Sequence, residues 1–464
     1  MILSMNKKRV IVLAAVTFLS IIAYTQTSGF LEPNQRSALV VLIVASGLWT
    51  SEAVPLAATA ILIPLMQSVM GIQAFSSALT PFFSTTVMLL LGGFMLAVAV
   101  EKYDLDEYFA FLILSRFNTG AKTVVLAVMF ATGFLSMWIS NSASTALLIA
   151  MALKITDQIK DEKGNFSKIM VLAIAYSATA GGLSTLVGTT TCAMAAASLK
   201  TMIGYDISFL GWMVFGLPIA FIQILVIWVV LFMIFPTDVT EIPPIERPNG
   251  GLSKNQKLTM GIFLFAVFAW ITGKLPGPIA NAIGWAGHGY SSSMVAATIL
   301  VLLYFTDLIE DRDIRNGKWS TLLLIGGGLS LGKALEVTGL VDVISDVLMN
   351  LTAGGSPFVA ITIVVVAGLG ISIIASNTAS AGIFLPIAIG LGQKIGFSPV
   401  ILAVAVGIST SLDFMLPVGT PPNAIAYSTG RVTMAEMIKA GILLDLVGAI
   451  VTITFAYLIW PMLI

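Results

Sequence analysis

From Val10 to Ile464 the chain repeats apolar stretches long enough to cross the roughly 30 Å hydrocarbon core of a bilayer. They lack the ten-residue alternation of a membrane β-barrel, so each span must satisfy its own backbone hydrogen bonds as a helix. The expected class is therefore an all-α integral membrane protein, with the lipid bilayer as its surroundings. Composition agrees: 58% of the 464 residues are hydrophobic and 10% charged, against about a quarter charged in soluble domains. A formal net charge of zero and the lack of a basic block exclude nucleic acid as a partner. One cysteine, Cys192, excludes an internal disulfide, and one histidine, His288, excludes the usual zinc and haem ligand sets. His288 lies in the loop sequence GWAGHGY and reads as ordinary surface.

Spans are expected near 10–24, 37–50, 54–71, 83–101, 167–200, 209–235, 257–274, 291–306, 319–334, 398–429 and 437–462. The first follows Lys7, Lys8 and Arg9 but leads to no small-x-small cleavage site, so it is kept as a span. Two further apolar segments, 123–154 and 357–393, are each interrupted by a cluster of small polar residues, SNSAS and SNTAS. If both are re-entrant hairpins, the chain makes eleven crossings. With the N-terminus cytoplasmic and the C-terminus outside, 18 of the 23 Lys and Arg residues then fall on cytoplasmic segments, as the positive-inside rule requires. These include Arg116, Lys160, Lys163 and Arg247.

Self-similarity divides the chain. LGGFMLAVAVE at 91–101 aligns with GGGLSLGKALE at 326–336, SMWISNSAS at 136–144 with SIIASNTAS at 372–380, and VGT at 187–189 with VGT at 418–420. Three matches in one order, at nearly one offset, indicate duplication. The predicted organisation is an extra N-terminal helix (1–30), a first repeat (31–236), a cytoplasmic linker (237–256) and a second repeat (257–464). Five crossings separate corresponding spans, so the second repeat is expected to be inverted, as in secondary transporters whose sites lie where broken helices of both halves meet.

Broken backbone at that depth survives only where protein, water or ligand supplies partners. Ser and Asn in Ser140-Asn141-Ser142 and Ser376-Asn377-Thr378 are strong N-cap residues, each followed by an apolar run. The second arm of each hairpin should thus present free N–H groups and a positive dipole end, an anion site. The first arm ends in free carbonyls, which with Ser and Asn oxygens suit a small cation. Gly188 and Gly419 could let a second helix unwind towards the same place, and Thr189 and Thr420 add hydroxyls. No Lys or Arg lies in these stretches, so a bound anion would be balanced largely by co-bound cations. Binding of the two would then be reciprocally coupled.

At these residues the sequence resembles the divalent anion:sodium symporter family of sodium-coupled dicarboxylate, citrate and sulfate transporters. The resemblance runs through WTSEAVPLAATAILIPL (49–65), LLLGGFMLAVAVE (89–101), SMWISNSAS, LLLIGGGLSLGKALEVTGL (322–340), ASNTASAGIFLPIA and LPVGTPPNAIAYSTG (416–430). It implies a homodimer of eleven-helix, two-hairpin protomers working as an elevator-type transporter. It implies one Na⁺ held by Ser136, Ser140, Asn141 and the Gly188 loop, and a second by Ser372, Ala375, Asn377 and the Gly419 loop. Substrate carboxylates would meet Ser140, Asn141, Ser142, Ser376, Asn377 and Thr378, with Thr420 and Pro421 lining the same cavity. Three features depart from the family pattern: Ser142 replaces Thr, GTTTCA replaces a Pro-containing first break, and Asp413 and Asp445 stand in apolar helices where neutral residues are expected. Intramembrane carboxylates read either as functional groups or as hydrogen-bonded structural ones.

Two tips of opposite origin suit a ligand with two anionic ends. The expected function is import of a C4-dicarboxylate such as succinate, malate or fumarate with Na⁺ across a bacterial inner membrane. Sulfate or citrate symport, or sodium-independent exchange, are the alternatives. Asp413 and Asp445 lie in no GxGD setting, His288 lies in a loop and no ATP-binding motif is present, which argues against an enzyme and against hydrolysis as the energy source.

Overall fold

The computed structural model describes residues 7–115, 120–159, 161, 164–242, 251–351 and 355–464. Arg116, Lys160, Lys163 and Arg247, with residues 243–250 of the expected linker at 237–256, lie outside the described residues. The described residues are helical, with one isolated bridge between Gly120 and Glu241.

The chain opens with α1 (Lys7–Gln26), α2 (Pro33–Ser51) and α3 (Leu56–Val69). A short α4 (Phe75–Leu79) leads to α5 (Thr85–Lys102) and α6 (Leu105–Leu114). Next come α7 (Ala121–Ser136), α8 (Asn141–Thr156), α9 (Asn165–Gly182), α10 (Thr190–Ile203) and α11 (Phe209–Ile234). The later half begins with α12 (Lys254–Thr272), short α13 (Gly277–Ile283), α14 (Ser292–Phe305) and short α15 (Asp311–Arg315). It continues with α16 (Trp319–Val337), α17 (Leu340–Leu351), α18 (Pro357–Ser372) and α19 (Asn377–Ile395). The chain closes with α20 (Pro399–Ser409), α21 (Pro421–Ser428) and α22 (Met434–Thr454). Helices start where the sequence offers a cap: the side chains of Ser84, Ser140, Ser208, Ser253, Ser291, Thr420 and Thr433 each accept a backbone N–H of the first turn.

Among the described residues, six helical stretches are long and apolar enough to cross a membrane, including Arg9–Gln26, Phe209–Ile234 and Met434–Met462. Helix α1 packs on α2 and leaves Ile11, Phe18 and Ile21 facing outward, as a lipid-exposed helix does. The expected single spans at 167–200 and 398–429 are each two helices, interrupted at 183–189 and 410–420. Side-chain chemistry holds both interruptions open. Thr185 Oγ1 accepts the N–H of Val187 and Gly188 and donates to Met137 O at 2.6 Å. Asn423 Nδ2 donates to Asp413 O at 3.1 Å and Leu416 O at 3.0 Å.

Breaks recur at matching places in the two halves. Helices α7 and α18 both have 16 residues and both end at a serine five positions before the first residue of the next helix. Helix α8 packs on α9 of its own half and on α21 of the other; α19 packs on α20 and on α10 in the same way. The halves are therefore interlocked at their broken helices. Helix α9 forms the centre, buried without interruption from Ile169 to Gly182. It meets α7 at Gly133 and Gly181, whose backbones approach so closely that a Cβ on Gly181 would overlap Gly133. At one rim, Lys102 ties the end of α5 to Asp313 of α15 at 2.9 Å. Burial pushes the Asp313 carboxyl up, but Lys102 and the Glu310 N–H outweigh it and hold the group below its usual range.

Candidate functional site

Four helix N-termini converge on one cavity of about 460 Å³. Their N-cap residues, Ser140 of α8, Thr189 of α10, Ser376 of α19 and Thr420 of α21, all line it. Asn141, Ser142, Gly188, Asn377, Thr378, Gly419 and Pro421 line it too. The two clusters, more than 230 positions apart in sequence, thus form one wall. Converging N-termini direct unpaired N–H groups and partial positive charge at the cavity. Ser140 and Thr420 cap their own helices, accepting from Ala143 N and Asn423 N at 3.3 Å. Thr189 and Ser376 make no such cap bond, which leaves the first N–H groups of α10 and α19 available to a ligand.

Behind the first tip lies a compact group of oxygens. Ser136 Oγ is 2.5 Å from Asn141 Oδ1 and 2.6 Å from Ala178 O. A hydroxyl has one proton, so it can donate to one of these acceptors only. Three oxygens converging on so small a volume suit a bare cation. Close backbone makes the group possible: a Cβ on Gly182 would stand 2.6 Å from Asn141 Oδ1, and one on Gly188 would stand 2.5 Å from Gly182 O. In the second half Ser372, fully buried, donates to Leu369 O at 2.9 Å. Ala375 is buried at the tip, and Asn377 Oδ1 is a buried acceptor with no partner. Ser136, Ser372 and Ala375 therefore stand behind the cavity wall rather than on it.

Several cavity residues are not evident from the motifs. Thr190 Oγ1 meets Thr378 Oγ1 at 2.5 Å, so the GTTTCA departure supplies a direct link between the halves. Thr191 Oγ1 donates to Gly407 O at 2.7 Å, so Ser411 Oγ, 2.6 Å away, donates to Thr191. Lys318 and Glu52 also line the cavity, the ammonium lying 5.4 Å from the Phe94 ring centroid. The tips and VGT breaks lack a basic residue, but the cavity does not: Lys318, just before α16, supplies one. Glu52 combines two roles, ending α2 in a left-handed conformation (φ 49°) and reaching the cavity. His288 holds its loop, with Nε2 2.7 Å from Ala269 O and Nδ1 accepting Tyr290 N. Trp138 packs between Phe209 and Phe263.

Thr185 is the residue that sequence reading overlooked most plainly, although a threonine three positions before Gly188 is a recognisable turn former. Thr185→Val removes three hydrogen bonds to buried backbone, each worth about 0.5–1.5 kcal/mol. The variant is expected to lower the thermal unfolding temperature and impair uptake together, while Thr185→Ser retains both; scanning fluorimetry and transport on the same preparations test this.

Broken helices of two matching halves, closing on a polar cavity inside an apolar bundle, define a multi-pass membrane transporter. The chain belongs to the sodium:sulfate symporter (divalent anion:Na⁺ symporter) family, whose model, described as "Sodium:sulfate symporter transmembrane region", matches residues 6–464. Its members are transporters rather than enzymes, and Na⁺ is the coupling ion. An uncharacterized transporter of Haemophilus influenzae is 34% identical over 433 residues, covering 92% of this chain and 93% of that one. The sodium-dependent dicarboxylate transporter SdcS of Staphylococcus saprophyticus is 30% identical over 461 residues, covering 93% and 88%. Among solved structures, the Alcanivorax borkumensis YdaH transporter aligns with a TM-score of 0.58 at 16% identity, covering 83% of this chain and 89% of that one. That last likeness is one of fold.

Proposed function

We propose that this chain is a Na⁺-coupled symporter that imports C4-dicarboxylates such as succinate, malate or fumarate. The observation that carries the reading is the convergence of four helix N-termini, two from each half, on one cavity. An anion with two carboxylates can meet the Ser140–Ser142 N–H groups at one end and those of Ser376–Thr378 at the other. Two symmetric ends in about 460 Å³ favour such a ligand over compact sulfate. Na⁺ travels as cargo beside it. One ion would be held by Ser136, Ser140, Asn141 and the Gly188 backbone, the other by Ser372, Ala375, Asn377 and the Gly419 backbone. Resemblance to SdcS supports the dicarboxylate class.

In this reading α7–α8 and α18–α19 are re-entrant hairpins entering from opposite membrane faces. The unbroken helices and the two interrupted ones make eleven crossings, with the N-terminus cytoplasmic and the C-terminus outside. The two halves are inverted repeats after one extra helix. Substrate moves by elevator-like displacement of the interlocked broken helices within a homodimer. A bacterial inner membrane is the expected location.

Proteoliposomes loaded with K⁺ and placed in Na⁺ are expected to concentrate labelled succinate and to lose that activity when choline replaces Na⁺. Excess malate or fumarate should compete, and sulfate or citrate should compete weakly. Uptake that ignores Na⁺ removes the symport reading, and preferential competition by sulfate transfers it to sulfate, which Lys318 on the cavity wall would then help bind.

A further inference from the structure

The two cation positions differ by a charge. The pair Gly182 and Gly188 in the first half recurs at the same spacing as Asp413 and Gly419 in the second. In the first half the pair lies in direct backbone contact, with a Cβ on Gly182 pointing at the Asn141 amide. In the second half the residue in Gly182's place carries a carboxylate, and a Cβ on Gly419 would overlap both of its oxygens. Asp413 is fully buried, and neither Oδ1 nor Oδ2 makes a hydrogen bond of full geometry, although the N–H groups of Met415 and Leu416 stand close to the carboxylate. Asn377 Oδ1, the counterpart of Asn141 Oδ1, is a buried acceptor without a donor. The neighbouring carboxylate, Asp445, takes the Phe414 N–H on Oδ1 at 3.0 Å, which gives it a structural task of its own and leaves only Oδ2 without a partner. Tyr176 of α9 also lies nearby, edge-on to Phe414.

Buried acceptors whose hydrogen bonding is incomplete are costly unless a cation joins them. We propose that Asp413 is a direct ligand of the second Na⁺, so that this site holds its ion by a formal charge while the first site relies on neutral oxygens. The inference rests on the sodium-symport reading and deepens it. An ion that neutralises Asp413 needs no anion to balance it. Na⁺ therefore binds at the second site before substrate, whereas the first site stays coupled to the dicarboxylate by linkage.

Binding of ²²Na⁺ to the purified full-length chain without any dicarboxylate tests this. Wild type is expected to bind, D413N to need about tenfold more Na⁺ or more, as removal of a ligand charge does at other hard-cation sites, and D445N to stay within about twofold of wild type. D413N binding Na⁺ as wild type does overturns the proposal. Should D413N not fold, the wild-type infrared difference spectrum, Na⁺ minus choline, decides: a shifted carboxylate band, retained in D445N, supports the assignment, and its absence refutes it. The two readings fail separately. Sodium-driven succinate uptake by wild type, with unaltered Na⁺ binding in D413N, removes only the role of Asp413. Asp413-dependent Na⁺ binding without dicarboxylate uptake removes only the proposed substrate.

Discussion

Gly188→Ala is expected to reduce Na⁺-driven uptake by roughly ten- to a hundredfold while Gly261→Ala leaves it unchanged. The added methyl at 188 would stand 2.5 Å from Gly182 O and 2.9 Å from its Cα, so it meets backbone that no rotamer change can move. At 261 nothing lies within 4 Å. Overpacking of this kind costs about 1–3 kcal/mol, and every 1.4 kcal/mol is tenfold in binding. The strain falls on the 183–189 interruption, whose carbonyls and N–H groups serve the cavity, so the loss should appear in the half-saturating concentrations of both Na⁺ and substrate. Gly419→Ala differs in kind. Its methyl meets the end of the Asp413 side chain, so its effect should act through the carboxylate and appear mainly in Na⁺ dependence. Uptake curves for the three variants at varied Na⁺ check both statements.

Much of this architecture was legible because membrane helices are specified by length and apolarity, which a single sequence displays directly. The duplicated SNSAS and SNTAS clusters marked both helix breaks, since Ser and Asn start helices and an uncharged cluster inside an apolar run has few other uses. The interruptions at 183–189 and 410–420 were harder to delimit. Their long apolar flanks read as continuous spans, and the groups holding them open, Thr185 and Asn423, act by hydrogen bonds to segments whose proximity only the fold reveals. Lys318 was hidden for the same reason. It precedes α16 in sequence and looks like an ordinary helix-end cation, but packing of α16 against α3 and α5 turns that end towards the tips. Local pattern thus predicts where helices break, and tertiary packing decides which neighbours meet at the breaks.

Asn141→Ala and Asn377→Ala are both expected to lower Na⁺-driven uptake by roughly ten- to a hundredfold, as loss of a ligand to a charged group worth about 1.5–3 kcal/mol requires. Their effects on stability should diverge. Asn141 Oδ1 lies 2.5 Å from Ser136 Oγ and shares its one proton with Ala178 O, so its removal should cost at most about 1.5 kcal/mol in Na⁺-free buffer. Asn377 Oδ1 has no partner. Deleting a buried orphan acceptor relieves a desolvation penalty, so Asn377→Ala should unfold at the same temperature as wild type or higher when Na⁺ is absent. Adding Na⁺ reverses the order at that position, because wild type gains stability by mass action and the variant gains less. A stable but inactive Asn377→Ala, whose unfolding temperature responds weakly to Na⁺, is the signature of an amide kept for its ligand at the expense of the fold. An Asn377→Ala that is destabilised without Na⁺ and transports normally would make that amide a packing residue and leave the second tip without its cation ligand.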